Sequence, residues 1–451
     1  MAKNRPNNFD SFQLLSPIIL IGYLCLGFVP NLSAVDKIAP QWVGMTLLNL
    51  VSLSVFFFFR GSLKQTISKV LTTYLSLFYI GFIFWGGLSY FYAINSTEVL
   101  VNITRQVNVL LMFLSMAILL FNLKNKARFI SWTISIILSV EVYAVLSEAL
   151  EMINTTGVIS SGTLKGVAAN RNITAFSIAI KIPFVLYLVG LLNKTSFKVL
   201  ITALIFLALV SLSMIQSRAS FIGVGLITVG YCALQTLIYF RHTKNIKTLL
   251  SIGYILIPLL LAIIVNQTVI ASKGADALSR AATISLSTND GSVNQRLRYY
   301  QDVLTHISSN PIFGTGLGNW KLKSIDYDKN DINGYVVPYH AHSDFIQLGA
   351  ELGIIGFLLY LGVFLWAVYY VFIFIRYSKS SVEEKTFVFL LLVALGVYSV
   401  DANLNFPIAR PQVLVVWTAI MGLILTYYQK YKEAAEPIKT NPILTPVFLS
   451  L

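Results

Sequence analysis

The chain has 451 residues, of which 56% are hydrophobic, 13% aromatic and 12% charged, with a mean hydropathy of +0.74; no water-soluble globule of this size carries that balance. The two cysteines, Cys25 and Cys232, both lie in apolar runs, which excludes a disulfide framework and a four-ligand zinc site built on cysteine. The formal charge of +14 comes from Lys and Arg clustered between apolar runs, as orienting charges are in a membrane protein, and not from a nucleic-acid surface.

A bilayer core of about 30 Å takes roughly 20 apolar residues of helix. Runs of that kind, bounded by charge or turn residues, occur twelve times: 12–30, 42–59, 70–92, 107–123, 129–150, 173–193, 199–216, 219–240, 249–270, 345–375, 386–402 and 411–428. The first follows Lys3 and Arg5 as a signal peptide's would, but its length and the lack of a small-residue cleavage site predict a retained span. The run at 345–375 is long enough to begin as a surface helix. Residues 1–451 therefore read as a single all-α polytopic membrane domain, with one large connection over 271–344.

Positive charge in short loops stays cytoplasmic. One side of the twelve spans holds nineteen Lys and Arg, and the short loops of the other hold six: Lys37, Arg105, Lys165, Arg171, Arg218 and Arg410. This bias predicts cytoplasmic termini and an external loop 271–344. No short repeat, and no similarity between the halves of the kind inverted-repeat transporters carry, is visible.

A 70-residue connection is normally functional or disordered. This one contains Asn294 to Trp320, NQRLRYYQDVLTHISSNPIFGTGLGNW, whose Leu297, Tyr300, Val303, Leu304 and Ile307 predict a helical stripe ended by Pro311 and a Gly-rich turn. Pro338 to Gly356, PYHAHSDFIQLGAELGIIG, then leads into the next span. Of four histidines, only His340 and His342 are close together, and they are the pair placed to do chemistry.

Arginines on the outer side are scarce and sit at span ends, where a charge near hydrocarbon is costly and tends to have a purpose. Arg218 lies in a connection of a few residues, Arg296 and Arg298 open the loop helix, and Arg410 precedes Pro411. Either they snorkel to lipid headgroups, most readily Arg298 or Arg410, or they form a cationic patch. Such a patch suits a lipid-linked diphosphate, whose oxygens accept bidentate guanidinium donors. Fixed arginines would stabilise the charge developing on the leaving group, and a nearby histidine would take the proton of an acceptor hydroxyl.

The acidic run Asp326 to Gly334 is superficially a calcium loop, but Asp331 replaces the required glycine and Val337 the required glutamate. Glu141 and Lys181 fall at similar depths in spans 5 and 6 and are expected to pair. Asn170 and Asn172, at the mouth of span 6, either cap that helix or contact sugar hydroxyls.

The stretch 217–356 resembles the O-antigen ligase and polymerase superfamily of bacterial membrane glycosyltransferases. Three features carry the resemblance: Ser217-Arg218-Ala219 at a span end; Arg296-Leu297-x-x-Tyr300 followed by Asn-Pro-x-x-Gly-x-Gly-x-Gly over 310–318; and His342-Ser343, nine residues, then Gly353. The family often has tryptophan at the position of Tyr300. The resemblance implies a GT-C-like, metal-independent transferase without cofactor in the bacterial inner membrane, its site facing the periplasm. It would take a glycan from undecaprenyl diphosphate, with His342 as catalytic base and Arg218 and Arg296 holding the diphosphate. His340, Arg298, Arg410, Asn170 and Asn172 are supporting candidates. The acceptor implied first is lipid A core; a growing carrier-linked glycan or a protein hydroxyl are the alternatives. From another class, a lipid-linked glycan flippase or transporter would use the arginines to guide an anion, against which stand the structured loop and the absence of a repeat.

Overall fold

The computed structural model describes residues 8–168, 170–282, 291–329 and 339–435. Among them there is no strand, and twelve helical runs are long and apolar enough to cross a membrane. The chain is a multi-pass, all-α membrane protein.

In chain order the helices are α1 (Asn8–Leu24), α2 (Ala39–Phe58), α3 (Arg60–Leu71), α4 (Tyr74–Leu88), α5 (Ser96–Phe121), α6 (Lys126–Thr156), α7 (Arg171–Ala179), α8 (Ile182–Leu191), α9 (Thr195–Ile215), α10 (Arg218–Ile238), α11 (Ile246–Leu250) and α12 (Gly253–Val265). The long connection carries α13 (Ala277–Ala282), α14 (Gly291–Ser309) and α15 (Trp320–Asp328), and α16 (Asp344–Tyr377), α17 (Val382–Leu404) and α18 (Pro411–Ala435) complete the bundle. Three departures from the sequence reading have local causes. Residues 60–71, read as a charged loop, form α3, whose Leu63, Thr66 and Val70 are buried along one face. Helix α5 begins eleven residues before the predicted 107, because Asn95 caps it by accepting from Thr97 N at 2.9 Å. Span 6 is two helices, broken at Ile180–Lys181, with Pro183 in the first turn of α8, where its missing N–H costs nothing.

The α7–α8 run and α18 are the centre of the bundle, each 94% buried over its apolar stretch, whereas Ile246–Lys273 is 17% buried and lies at the periphery. Aromatic contacts tie α18 to its neighbours: Trp417 meets Tyr79 of α4 edge-on at 5.7 Å and Tyr398 of α17 at 5.6 Å, and Tyr428 stacks on Tyr370 of α16 at 3.7 Å. Helices α10 and α17 pack antiparallel through small residues, with Gly223 on Val397, Leu226 on Gly396 and Gly230 on Val393. That register sets Arg218, at the start of α10, level with the last turn of α17. Both therefore reach the end of the bundle that bears the long connection.

At the α7–α8 break, Lys181 and Glu141 form the expected ion pair, Nζ to Oε2 2.8 Å, with side chains 2% and 3% exposed. Lys181 Nζ also donates to the Ser177 carbonyl at 2.7 Å, and Glu141 Oε1 accepts from Ser177 Oγ at 2.7 Å and Gln412 Nε2 at 2.8 Å. The cluster joins α6, α7, α8 and α18 and satisfies the charges it buries. Removing one partner leaves a charge stranded in the apolar interior. Lys181→Ala is therefore expected to cost about 3–5 kcal/mol, read as a lower Tm in detergent, and Lys181→Met combined with Glu141→Leu to cost clearly less.

Candidate active site

At the loop-bearing end, α16 is interrupted at Gly353, whose φ of 66° and ψ of −170° are not helical. A break in a helix strips the preceding carbonyls of their partners. Here the Gly-rich segment before α15 supplies replacements: Thr315 N donates to the Ala350 carbonyl at 3.0 Å and Gly316 N to that of Glu351 at 2.8 Å, while Ile354 N donates back to Pro311 O at 2.8 Å. Trp85 Nε1, from α4, takes the Leu352 carbonyl at 2.9 Å. A Cβ at Gly353 would collide with the Ile312 carbonyl, and one at Gly314 with the backbone of Ala350 and Glu351. Both glycines also have positive φ, so the sequence reaches this docking only with glycine at these points.

The Glu351 side chain extends the clamp. Its carboxylate accepts from Gly318 N at 2.8 Å, Trp320 N at 3.4 Å and Gln347 Nε2 at 3.0 Å, and Gln347 Oε1 in turn accepts from Ala341 N at 3.1 Å. The next residue is His342, in the left-handed region at φ 57°. A non-glycine residue there costs of order 1–3 kcal/mol and persists only where its surroundings impose it. They do so from both sides, since Ser343 caps α16 through Ile346 N and Tyr300 Oη lies 3.0 Å from the His342 carbonyl and 2.7 Å from that of Asn403. Tyr300 thus couples α14, the histidine and the end of α17.

The imidazoles sit in a row of rings. His342 lies parallel to Tyr299 at 6.2 Å and edge-on to Phe406 at 5.7 Å, and His340 stacks on Phe406 at 4.2 Å. Guanidiniums close both ends, Arg298 5.8 Å over Tyr299 and Arg410 5.0 Å over Phe406. The turn carrying Phe406 is held by Asp344, whose Oδ2 accepts from Ile408 N at 3.0 Å. Burial, and after it the Arg296 guanidinium, pushes His342 down to about 4; burial, and after it Arg410, does the same to His340. Both rings are therefore neutral near pH 7 and able to accept a proton.

Arg296 and His342 are thus brought within electrostatic reach, with His340, Arg298 and Arg410 around them. The α10–α17 register sets Arg218 level with the last turn of α17, whose Asn403 carbonyl accepts from Tyr300. Asn170 caps α7, its Oδ1 accepting from Asn172 N at 3.0 Å and Ile173 N at 3.3 Å. His306 is packed away from the ring row, 3% exposed, with Nδ1 3.2 Å from Tyr327 Oη. The buried face of α14 is Tyr299, Val303 and His306, whereas Leu297 and Leu304 of the predicted stripe are 43% and 57% exposed. The stripe is displaced because α14 is covered by Trp320 and Tyr327 as well as by α16. Among the described residues no three His, Cys, Asp or Glu side chains converge as metal ligands; Asp331 and Val337 lie outside them.

Sequence reasoning missed Tyr299, Phe406, Gln347 and Glu351. Glu351 had a signal, an acid inside an apolar span with Gln347 one turn before it; Phe406 had none beyond being aromatic in a short turn.

These features define a polytopic membrane protein with a cationic, histidine-bearing rim at one end. Residues 203–361, from within α9 to α16, match the family model described as O-antigen ligase, which bears out the resemblance read from the sequence. Over 189 residues the chain is 32% identical to a protein of Rickettsia conorii named "putative polysaccharide ligase", the match spanning 40% of each chain.

Because the Gly353 break creates the acceptors that hold the Gly-rich segment, Gly353→Ala is expected to undock that segment while leaving the bundle folded. Limited proteolysis should then cut within 310–320, which the unmodified protein protects, without a large loss of helical circular dichroism.

Proposed function

We propose that this chain is a metal-independent, GT-C-like membrane glycosyltransferase that moves a glycan from undecaprenyl diphosphate to an acceptor hydroxyl, with lipid A core as the acceptor. The observation that carries the reading is a neutral imidazole, His342, locked by backbone and ring contacts under the charge of Arg296. His342 takes the proton of the acceptor hydroxyl as its oxygen bonds to the anomeric carbon. The bond from that carbon to the diphosphate oxygen breaks, and the electron pair leaves with undecaprenyl diphosphate. Arg218 and Arg296 bind the diphosphate and stabilise the negative charge it gains, at a rim where low dielectric strengthens such contacts. His340, Arg298 and Arg410 extend the basic, aromatic-lined rim. The family match and the similarity to the Rickettsia protein support the same chemistry.

The distribution of Lys and Arg supports cytoplasmic termini and a periplasmic site in the bacterial inner membrane. Residues 1–451 act as a single membrane domain, with 271–344 as its periplasmic loop.

In reconstituted vesicles supplied with labelled undecaprenyl diphosphate glycan, label should pass to lipid A core, and His342→Ala should lose about 10²–10⁴ of the rate while still binding donor. A ladder growing on the carrier without added core would make the enzyme a polymerase; donor translocation without transfer would make it a flippase. Since His342 acts only when unprotonated and its pKa is held near 4, kcat/KM should fall as pH drops through about 4 and stay level above it. Arg296→Ala removes a positive neighbour that opposes protonation, so the acid limb should move up toward 6.5.

A further inference from the structure

Beyond Phe406 the rim continues into a second cationic patch. Arg410, between α17 and α18, and Arg105, in the third turn of α5, are near enough for each charge to act on the other, and Asp36, from the connection between α1 and α2, is within electrostatic reach of both. Arg105 Nη2 is 3.5 Å from Asp36 Oδ2 and its guanidinium 5.6 Å over Trp42 of α2. Arg410 Nε is buried, with no hydrogen-bond partner among the described residues, and the same holds for Trp42 Nε1. Four separate stretches of chain thus bring one carboxylate onto Arg105 and within electrostatic reach of Arg410. That carboxylate is half-exposed and its contact is long, so the pair is weak and readily exchanged.

We propose that Arg105 and Arg410 form an acceptor subsite that takes a phosphate monoester of the acceptor saccharide in place of Asp36. The proposal rests on the transferase reading above. Planar guanidiniums on two sides suit a tetrahedral dianion, which offers bidentate oxygens to each, whereas Asp36 gives the two only one shared negative charge. Phe406 touches Arg410, His340 and His342. A phosphate held at Arg410 therefore sits one aromatic ring from the base, on the side away from Arg298. The acceptor would be oriented by its charge while its hydroxyl meets His342.

The test uses the full chain in vesicles, with lipid A core either intact or dephosphorylated with hydrofluoric acid as the acceptor, and measures transfer together with equilibrium binding of each acceptor to the detergent-solubilised protein. Arg105→Ala should raise the KM and the Kd for intact core about tenfold or more, leave the donor KM and kcat unchanged, and have no effect with dephosphorylated core. Asp36→Asn should do the reverse, lowering KM and Kd for intact core, because it removes the competing carboxylate. A purely structural ion pair would make both substitutions harmful and insensitive to acceptor phosphate, and that result overturns the proposal. So does a shift in donor KM, which would assign the patch to the carrier diphosphate, and so does a defect that tracks phosphatidylglycerol in the vesicles, which would assign it to lipid headgroups. If wild type binds intact core in preference to dephosphorylated core yet transfers nothing to either, the subsite stands and the transferase reading falls. Equal binding of the two acceptors by wild type sinks the subsite alone.

Discussion

The break in α16 at Gly353 is the constraint on which the rim depends. An uninterrupted helix would spend the carbonyls of Ala350, Glu351 and Leu352 on its own N–H groups, and nothing would hold the Gly-rich segment against the bundle. With the break, those carbonyls accept from Thr315, Gly316 and Trp85. The same stretch of helix presents Glu351, whose carboxylate gathers Gly318, Trp320 and Gln347. Through Gln347 the order passes to Ala341 and so to His342. The eleven-residue separation of His342 and Gly353 is therefore a mechanical dimension, three turns of helix between a capped start and a break, with the clamp in the last turn.

Electrostatics at this rim run opposite to ordinary membrane-protein economy. Two histidines are kept neutral by burial and by neighbouring arginines, so the local positive charge sits on groups that stay protonated and the proton-accepting groups remain free to act. An anion entering the rim would offset the arginines, ease protonation of the imidazole and so strengthen it as a base when substrate is bound. Ring contacts with Tyr299 and Phe406 fix the imidazoles, and among the described residues no carboxylate pairs with them, a partner that would raise their affinity for protons.

The twelve spans were legible because hydropathy over about 20 residues is a strong signal, and Glu141 with Lys181 could be paired by depth alone. The motifs around Arg296 and His342 were legible as spacings. What spacing could not give was the partner of each backbone group: the clamp is made of carbonyls at Ala350, Glu351 and Leu352, and every residue has a carbonyl. The displaced face of α14 was hidden for a related reason, since periodicity reports which residues are apolar and not which neighbours will cover them; His306 is buried by Trp320 and Tyr327, and Leu304 is left outside. Phe406 belongs to a short connection where no periodic pattern operates, so only the fold brings it to the histidines.

Two polar clusters inside one apolar bundle show what separates support from chemistry. The Glu141–Lys181 cluster lies deep, pairs its charges and gives them Ser177 and Gln412 besides; a group so satisfied has little left to offer a ligand, and it holds four helices together at a helix break. At the rim, His340 Nδ1, His342 Nδ1 and Arg410 Nε are buried with no hydrogen-bond partner among the described residues. Burying such groups without partners costs stability, and at the rim that cost falls where the Gly353 clamp has already fixed the backbone. The rigid clamp and the rim are complementary: a scaffold whose own carbonyls and glycines hold it in place can keep two buried imidazoles beside arginines at the cost of those unpartnered ring nitrogens.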